Sequence, residues 1–190
     1  MGLYYGTGLS IIQQQPTDII FDRTIFSPTN VPPLNSDDSG LSGYTSLVKL
    51  LPAVLQNGAN YIRAGLMAPG TGSMVINDFT ICRVAASGDA YDGAATPTPF
   101  LFNGSASITL TAGQTVSTDV LDFTLDNTKA YIFGFNIGAS SRVRYRSSLS
   151  SSHIHYKMAA VQEADSANRT TGYSTQSGRV FCMYLLEGAP

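Results

Sequence analysis

His153 and His155 are the only histidines of the chain, and a single residue separates them. Side chains two apart on a strand point the same way, so both imidazoles would converge on one side, as a metal site requires. No third ligand stands nearby in the sequence, and residues 147–152 are almost all serine. The pair is therefore expected to open a strand beside an exposed loop and to make surface or inter-subunit hydrogen bonds. Arg142, Arg144 and Arg146 alternate with Val143 and Tyr145, which on a strand sets three guanidiniums on one face. Their repulsion would be relieved by acidic groups, either carboxylates of a neighbouring subunit or an anionic glycan, unless the face is simply solvated. Arg142, Arg144, Arg146, His153 and His155 are thus the candidate interface or ligand contacts.

Other constellations point away from catalysis. A serine hydrolase needs a nucleophile on a sharp turn, a histidine base and an orienting carboxylate. The chain has neither a Gly-Asp-Ser block nor a G-x-S-x-G elbow, so no catalytic residue and no enzymatic activity is expected. The run Gly88-Asp89-Ala90-Tyr91-Asp92-Gly93 holds two carboxylates that calcium would accept, but it lacks the dense oxygen ligands of an EF-hand loop and reads as a turn. No metal and no cofactor is expected. A sugar site would need exposed rings for stacking; with no tryptophan present, Tyr44, Tyr91, Tyr145, Tyr156 and Tyr173 are the candidates. Cys82 and Cys182 lie in apolar, strand-like runs, either as two buried free thiols or as a disulfide between neighbouring strands. Zinc is not expected, because no C-x-x-C spacing exists and the two distant thiols lack partner ligands at a usual spacing.

What must position these residues is one core. The chain of 190 residues is 43% hydrophobic, yet its charged fraction of 13% is about half of what is usual in soluble domains. Much of the surface must then be Ser, Thr, Asn, Gly and Gln, which suits repeated assembly. The net charge of −2 gives no general attraction to nucleic acid. The longest apolar runs fall far short of a bilayer span, and no basic, then apolar, leader opens the sequence. Neither a membrane nor a nucleic-acid partner is expected.

The chain divides into an extended, proline-rich arm, residues 1–43, and a β-sandwich, residues 44–190. Proline removes backbone donors and favours extended or turn structure along the arm, while Ile19, Ile20, Phe21, Ile25 and Phe26 make it too apolar for a solvated linker. Those five residues are the expected assembly contacts, laid along this sandwich or a neighbouring subunit. Residues 43–57 read equally as a short helix broken by Pro52 or as a strand and turn. From Gly58 onward short runs rich in β-formers alternate with turns, Asn77-Asp78 among them. Residues 100–137 carry the clearest pattern: Ser107-Ile108-Thr109-Leu110, a turn at Thr111-Ala112-Gly113-Gln114, then residues 120–125, a turn at 126–129, and a fully buried strand at 130–137. Turns about a dozen residues apart indicate an all-β, antiparallel sandwich or jelly roll. Residues 153–158 and 179–186 add two strands.

Phe102-Asn103-Gly104-Ser105-Ala106-Ser107, the hairpin that follows and the Ser117-Thr118-Asp119-Val120 step resemble the carbohydrate-binding-like accessory β-sandwich that precedes the catalytic domain in some SGNH-type esterases. The likeness covers residues 58–135, roughly 40% of the chain, and implies a sandwich without its catalytic neighbour. The extended arm, low charge and C-terminal strand together are similar to the accessory virion proteins of tailed bacteriophages. That likeness implies a structural protein, a capsid decoration or cementing protein assembled in the host cytoplasm and held on the virion. Its partners would be the major capsid protein and further copies of itself, a trimer being favoured. The alternative is a module that binds a cell-surface glycan or host receptor.

Overall fold

The computed structural model describes residues 19–27, 36–147 and 149–190. Apart from one 3-10 turn at Pro52–Val54, every element named among them is a strand, and every strand pairing is antiparallel. None of the described residues forms a helix long and apolar enough to cross a membrane. The chain is an all-β antiparallel sandwich.

The larger sheet has seven strands in the order β13 (Ser174–Ser177), β12 (His153–Ala159), β3 (Tyr44–Leu50), β10 (Tyr131–Ile137), β5 (Ser73–Arg83) and β6 (Thr98–Pro99), with β7 (Ile108–Thr111) also on β5. Facing it is a five-stranded sheet, β1 (Arg23–Phe26), β15 (Met183–Ala189), β4 (Ala59–Met67) and β8 (Thr115–Ser117), with β9 (Leu121–Leu125) also on β4. A small third sheet joins β14 (Val180–Phe181), β11 (Val143–Arg146) and β2 (Ser36–Asp38). The ambiguous stretch at 43–57 is a strand and a turn; Pro52 opens the 3-10 turn, where its missing N–H costs nothing. Asn77 and Asp78 sit inside β5 rather than in a turn, because a bulge in the β5–β10 pairing absorbs them.

Period-two alternation places the core. From β10, Tyr131, Phe133, Phe135 and Ile137 face the five-stranded sheet, while Ile132 joins a second apolar cluster on the opposite face. In the main core Phe79 is stacked between Phe100 and Phe135, each with ring centroids 4.4 Å away. Each such aromatic pair adds about 0.5–1.5 kcal/mol beyond the area it buries. β10 is buried at all seven positions because both faces of its sheet are covered.

Two consequences correct the expected boundary at residue 43. β1 is a strand of the five-stranded sheet, paired with β15, and β2 pairs with β11, so the sandwich includes segments assigned to the arm. Ile25 and Phe26 are fully buried in its main core. The expected single strand at 179–186 is also interrupted. Cys182 takes a left-handed φ of 56° between β14 and β15, which breaks the alternation and lets Val180, Phe181, Cys182 and Met183 all be buried in succession.

Candidate assembly surface

The run from Ile19 to Phe26 splits into two roles within eight residues. At its C-terminal end Ile25 and Phe26 enter the core, and the backbone there is tied on its other side: Gln56 N–H donates to the Ile25 carbonyl at 2.8 Å, and Asn57 Nδ2 to the Thr24 carbonyl at 2.9 Å. Four residues earlier Phe21 is half-buried, with the Arg63 guanidinium 4.3 Å above its ring centroid. Arg63 is held in turn by Glu187, which accepts from Nε at 2.6 Å. Ile20 then stands 75% exposed, far more than any other large apolar side chain among the described residues. It borders a groove of about 380 Å³ together with Ile19, Asp22, Tyr61, Ala189 and Pro190. Of the five expected contact residues, Ile25 and Phe26 are core, a correction that follows from β1 being paired, and Ile19, Ile20 and Phe21 lie at the surface end.

The arginine strand exists, but its three side chains do not form one open face. Arg142 precedes β11 and runs across Gly72, where a Cβ would meet its Cδ at 3.0 Å; the glycine's φ of 79° and the bare backbone make room for it. Arg144 lies opposite Asp37 across the β11–β2 pairing, with Nη1 3.5 Å from Oδ1. The same carboxylate accepts from the Gly70 N–H at 2.9 Å. Arg144 thus has its acidic partner within this chain, where the expectation was a neighbouring subunit's carboxylate, an anionic glycan or solvent. Arg146 stands opposite Val180, half-buried at the end of the strand.

The histidines do share one side of β12, as the spacing requires, but that side faces inward. His155 is fully buried, 3.9 Å from the Phe181 ring and with Nε2 2.7 Å from Ser46 Oγ. Burial holds its pKa down to about 3; the Gln176 side chain opposes that shift, and the positive charges of Lys157 and Arg179 add to it. His153 packs against Phe26 and meets Ser150 Oγ through Nδ1 at 3.1 Å. Burial lowers its pKa too, against the Ser150 backbone contact. The expected surface contact is therefore corrected: the third sheet and β1 cover both rings. Among the described residues no group of three His, Cys, Asp or Glu side chains is placed to hold a metal.

The outer face of the seven-stranded sheet is closed by two loops, residues 85–97 and 160–173, and the residue that joins them was not legible in the sequence. Arg169 is 3% exposed. Its Nη1 donates to the Tyr91 carbonyl and its Nη2 to the Ala164 carbonyl at 3.2 Å, while Asp92 Oδ1 accepts from the Arg169 N–H at 3.0 Å. Thr45, Thr80 and Asn136 project from the sheet as a polar row that binds Val161, Ala164 and Glu163. Gly134 allows this approach, since a Cβ there would meet the Ala164 carbonyl at 3.0 Å. Tyr91, Tyr156 and Tyr173 fill the space beneath as a buried ring cluster. Burial, then the Glu163 carboxylate that accepts from its hydroxyl at 2.8 Å, push the Tyr173 pKa up. Three of the five rings considered for a sugar site are thus interior.

Asp92 spends both carboxylate oxygens on backbone N–H groups, those of Asp89 and Arg169, and Asp89 accepts from the Tyr91 hydroxyl at 3.0 Å. Cys82 and Cys182 are both buried and free, one in the outer cluster and one in the main core. The Phe102–Ser105 element is a two-residue hairpin: Phe102 and Ser105 exchange backbone hydrogen bonds, and Asn103 and Gly104 have φ of 53° and 79°. Comparison with protein-family models and with curated proteins finds no match for the chain.

Proposed function

We propose that this chain is a non-catalytic structural protein of a virion, of the capsid decoration or cementing type, that associates through the segment ahead of β1. One observation carries the reading. A run of eight residues is anchored in the core at Ile25 and Phe26 and presents Ile20 almost bare beside an apolar groove. A lone exposed apolar side chain is ordinary, but one continuous with a groove and with a core-anchored strand is a surface suited to burial against a partner. The anchor transmits any pull on that segment directly into the five-stranded sheet.

The sparse charge supports the same reading, since copies of this surface can pack closely without strong repulsion. The partners proposed are further copies of the chain, in a closed ring with a trimer favoured, and the major capsid protein. Closed symmetry buries matching surfaces without leaving a free contact. Imaging of purified virions that contain the protein tests the assignment. Many symmetry-related copies on the head are expected; a few copies confined to a fibre would support receptor recognition instead.

A further inference from the structure

We infer that Asp119 is a chemical guard on the Asn103–Gly104 turn, a latent site of spontaneous deamidation that the fold holds shut. This goes beyond the proposed assembly role and does not depend on it.

Asn-Gly is the dipeptide in which an asparagine side chain is most open to attack by the following backbone nitrogen, because glycine brings no Cβ to block the approach. In the reaction the Gly104 nitrogen gives up its proton and bonds to Asn103 Cγ. The Cγ–Nδ2 bond breaks, ammonia leaves with the electron pair and a proton, and water opens the cyclic imide to aspartate or isoaspartate. No oxidant or reductant is needed. Asn103 and Gly104 are both exposed, at the tip of a hairpin, so water and base reach them freely.

What opposes the first step is the position of Asp119. Its Oδ2 accepts from the Gly104 N–H at 2.7 Å and its Oδ1 from the Asn103 N–H at 2.9 Å. Deprotonating the Gly104 nitrogen would break a hydrogen bond to a charged acceptor, a strong kind, and would develop negative charge against a carboxylate. The carboxylate is itself fixed in place. The Asp119 N–H donates to the Leu101 carbonyl at 2.8 Å, and the preceding Thr118 is clamped to Ala64 through both its N–H and its hydroxyl. The aspartate that carries part of the likeness to accessory sandwiches therefore protects a bond as well as shaping a turn.

The chain contains one other Asn-Gly step, Asn57–Gly58, and it serves as an internal reference. Asn57 is held through its side chain, to the Thr24 carbonyl, rather than by a carboxylate on the glycine N–H. Full-length protein and its Asp119→Ala and Asp119→Asn variants would be incubated at mildly alkaline pH and mapped by peptide mass spectrometry over time. In Asp119→Ala, deamidation at Asn103 is expected to rise at least about tenfold, the factor that corresponds to losing one charge-assisted hydrogen bond, while Asn57 keeps its wild-type rate. Asp119→Asn, which retains shape without charge, should fall between. Equal Asn103 rates in wild type and Asp119→Ala would overturn the inference. So would a rise shared equally by Asn57, which would show general loosening instead of a local guard.

Discussion

Removing residues 1–42 should abolish cooperative folding. The truncation deletes Ile25 and Phe26, both fully buried, and the strand pairings of β1 and β2. Truncating a buried Ile costs about 2–5 kcal/mol and a buried Phe about 3–5 kcal/mol, and deletion of the backbone removes more. The loss of roughly 5–10 kcal/mol rivals the whole stability of a domain, about 5–15 kcal/mol. It also uncovers the edge of β15, next to the Leu186 core position. Thermal melting followed by circular dichroism is the assay. The full-length chain should melt as one sharp transition, and the chain starting at Gly43 should show no such transition. A sharp, native-like melt of the shorter chain would refute the placement of Ile25 and Phe26 as part of this chain's own core.

Arg169→Ala leaves the Tyr91 and Ala164 carbonyls without their donor and should cost about 3 kcal/mol; hydrogen exchange should localise the loss of protection to residues 85–97 and 160–173. His155 has a folded-state pKa of about 3 against an ordinary 6.5, so the unfolded chain takes up the proton first. Its contribution to stability is complete above about pH 6.5 and declines by roughly 1.4 kcal/mol per unit as pH falls below that. Denaturant titrations of His155→Gln should show a slope shallower by one proton between about pH 6.5 and 5; an unchanged slope would contradict the burial of a neutral imidazole. Burial raises the pKa of both cysteines, so neither should react with a thiol reagent in the native protein. Both should titrate in denaturant without a reducing agent.

The parts of the fold that were legible are those in which local pattern and burial coincide. Residues 120–137 alternate, turn at Asp126-Asn127 and end in an apolar run, and the structure places β9, a turn and the doubly covered β10 there. The β1 placement was hidden for a physical reason. Ile25 and Phe26 are two adjacent buried residues at a bulge, a pattern that fits an arm lying on any apolar surface, and only long-range pairing with β15 decides which. The Cys182 interruption was hidden likewise, since cysteine, unlike Gly, Asn or Asp, gives no sequence sign of a left-handed backbone.

The site was read less well than the fold. Two-residue spacing does put His153 and His155 on one side of β12, but spacing cannot say which side is covered, and the Ser-rich flank suggested water where Phe26 and Phe181 are found. The sequence leaves the partner of Arg144 open between a neighbouring subunit, a glycan and solvent because Asp37, 107 positions away in sequence (144 − 37), pairs with it only through the β2–β11 register. Arg169 carried no signal at all: it lies in an irregular loop, and its partners are backbone carbonyls that any sequence would supply.

The most direct test of the central claim, association through the segment ahead of β1, is sedimentation of the full-length protein beside Ile20→Asp. Ile20 is three-quarters exposed, so the substitution removes no core contact and should leave the melting temperature within about a degree or two, as surface changes do. A defined oligomer is expected for the wild type, and a shift to monomer for Ile20→Asp with melting unchanged. A wild-type protein that stays monomeric in solution and whose recruitment to virions is untouched by Ile20→Asp would contradict it.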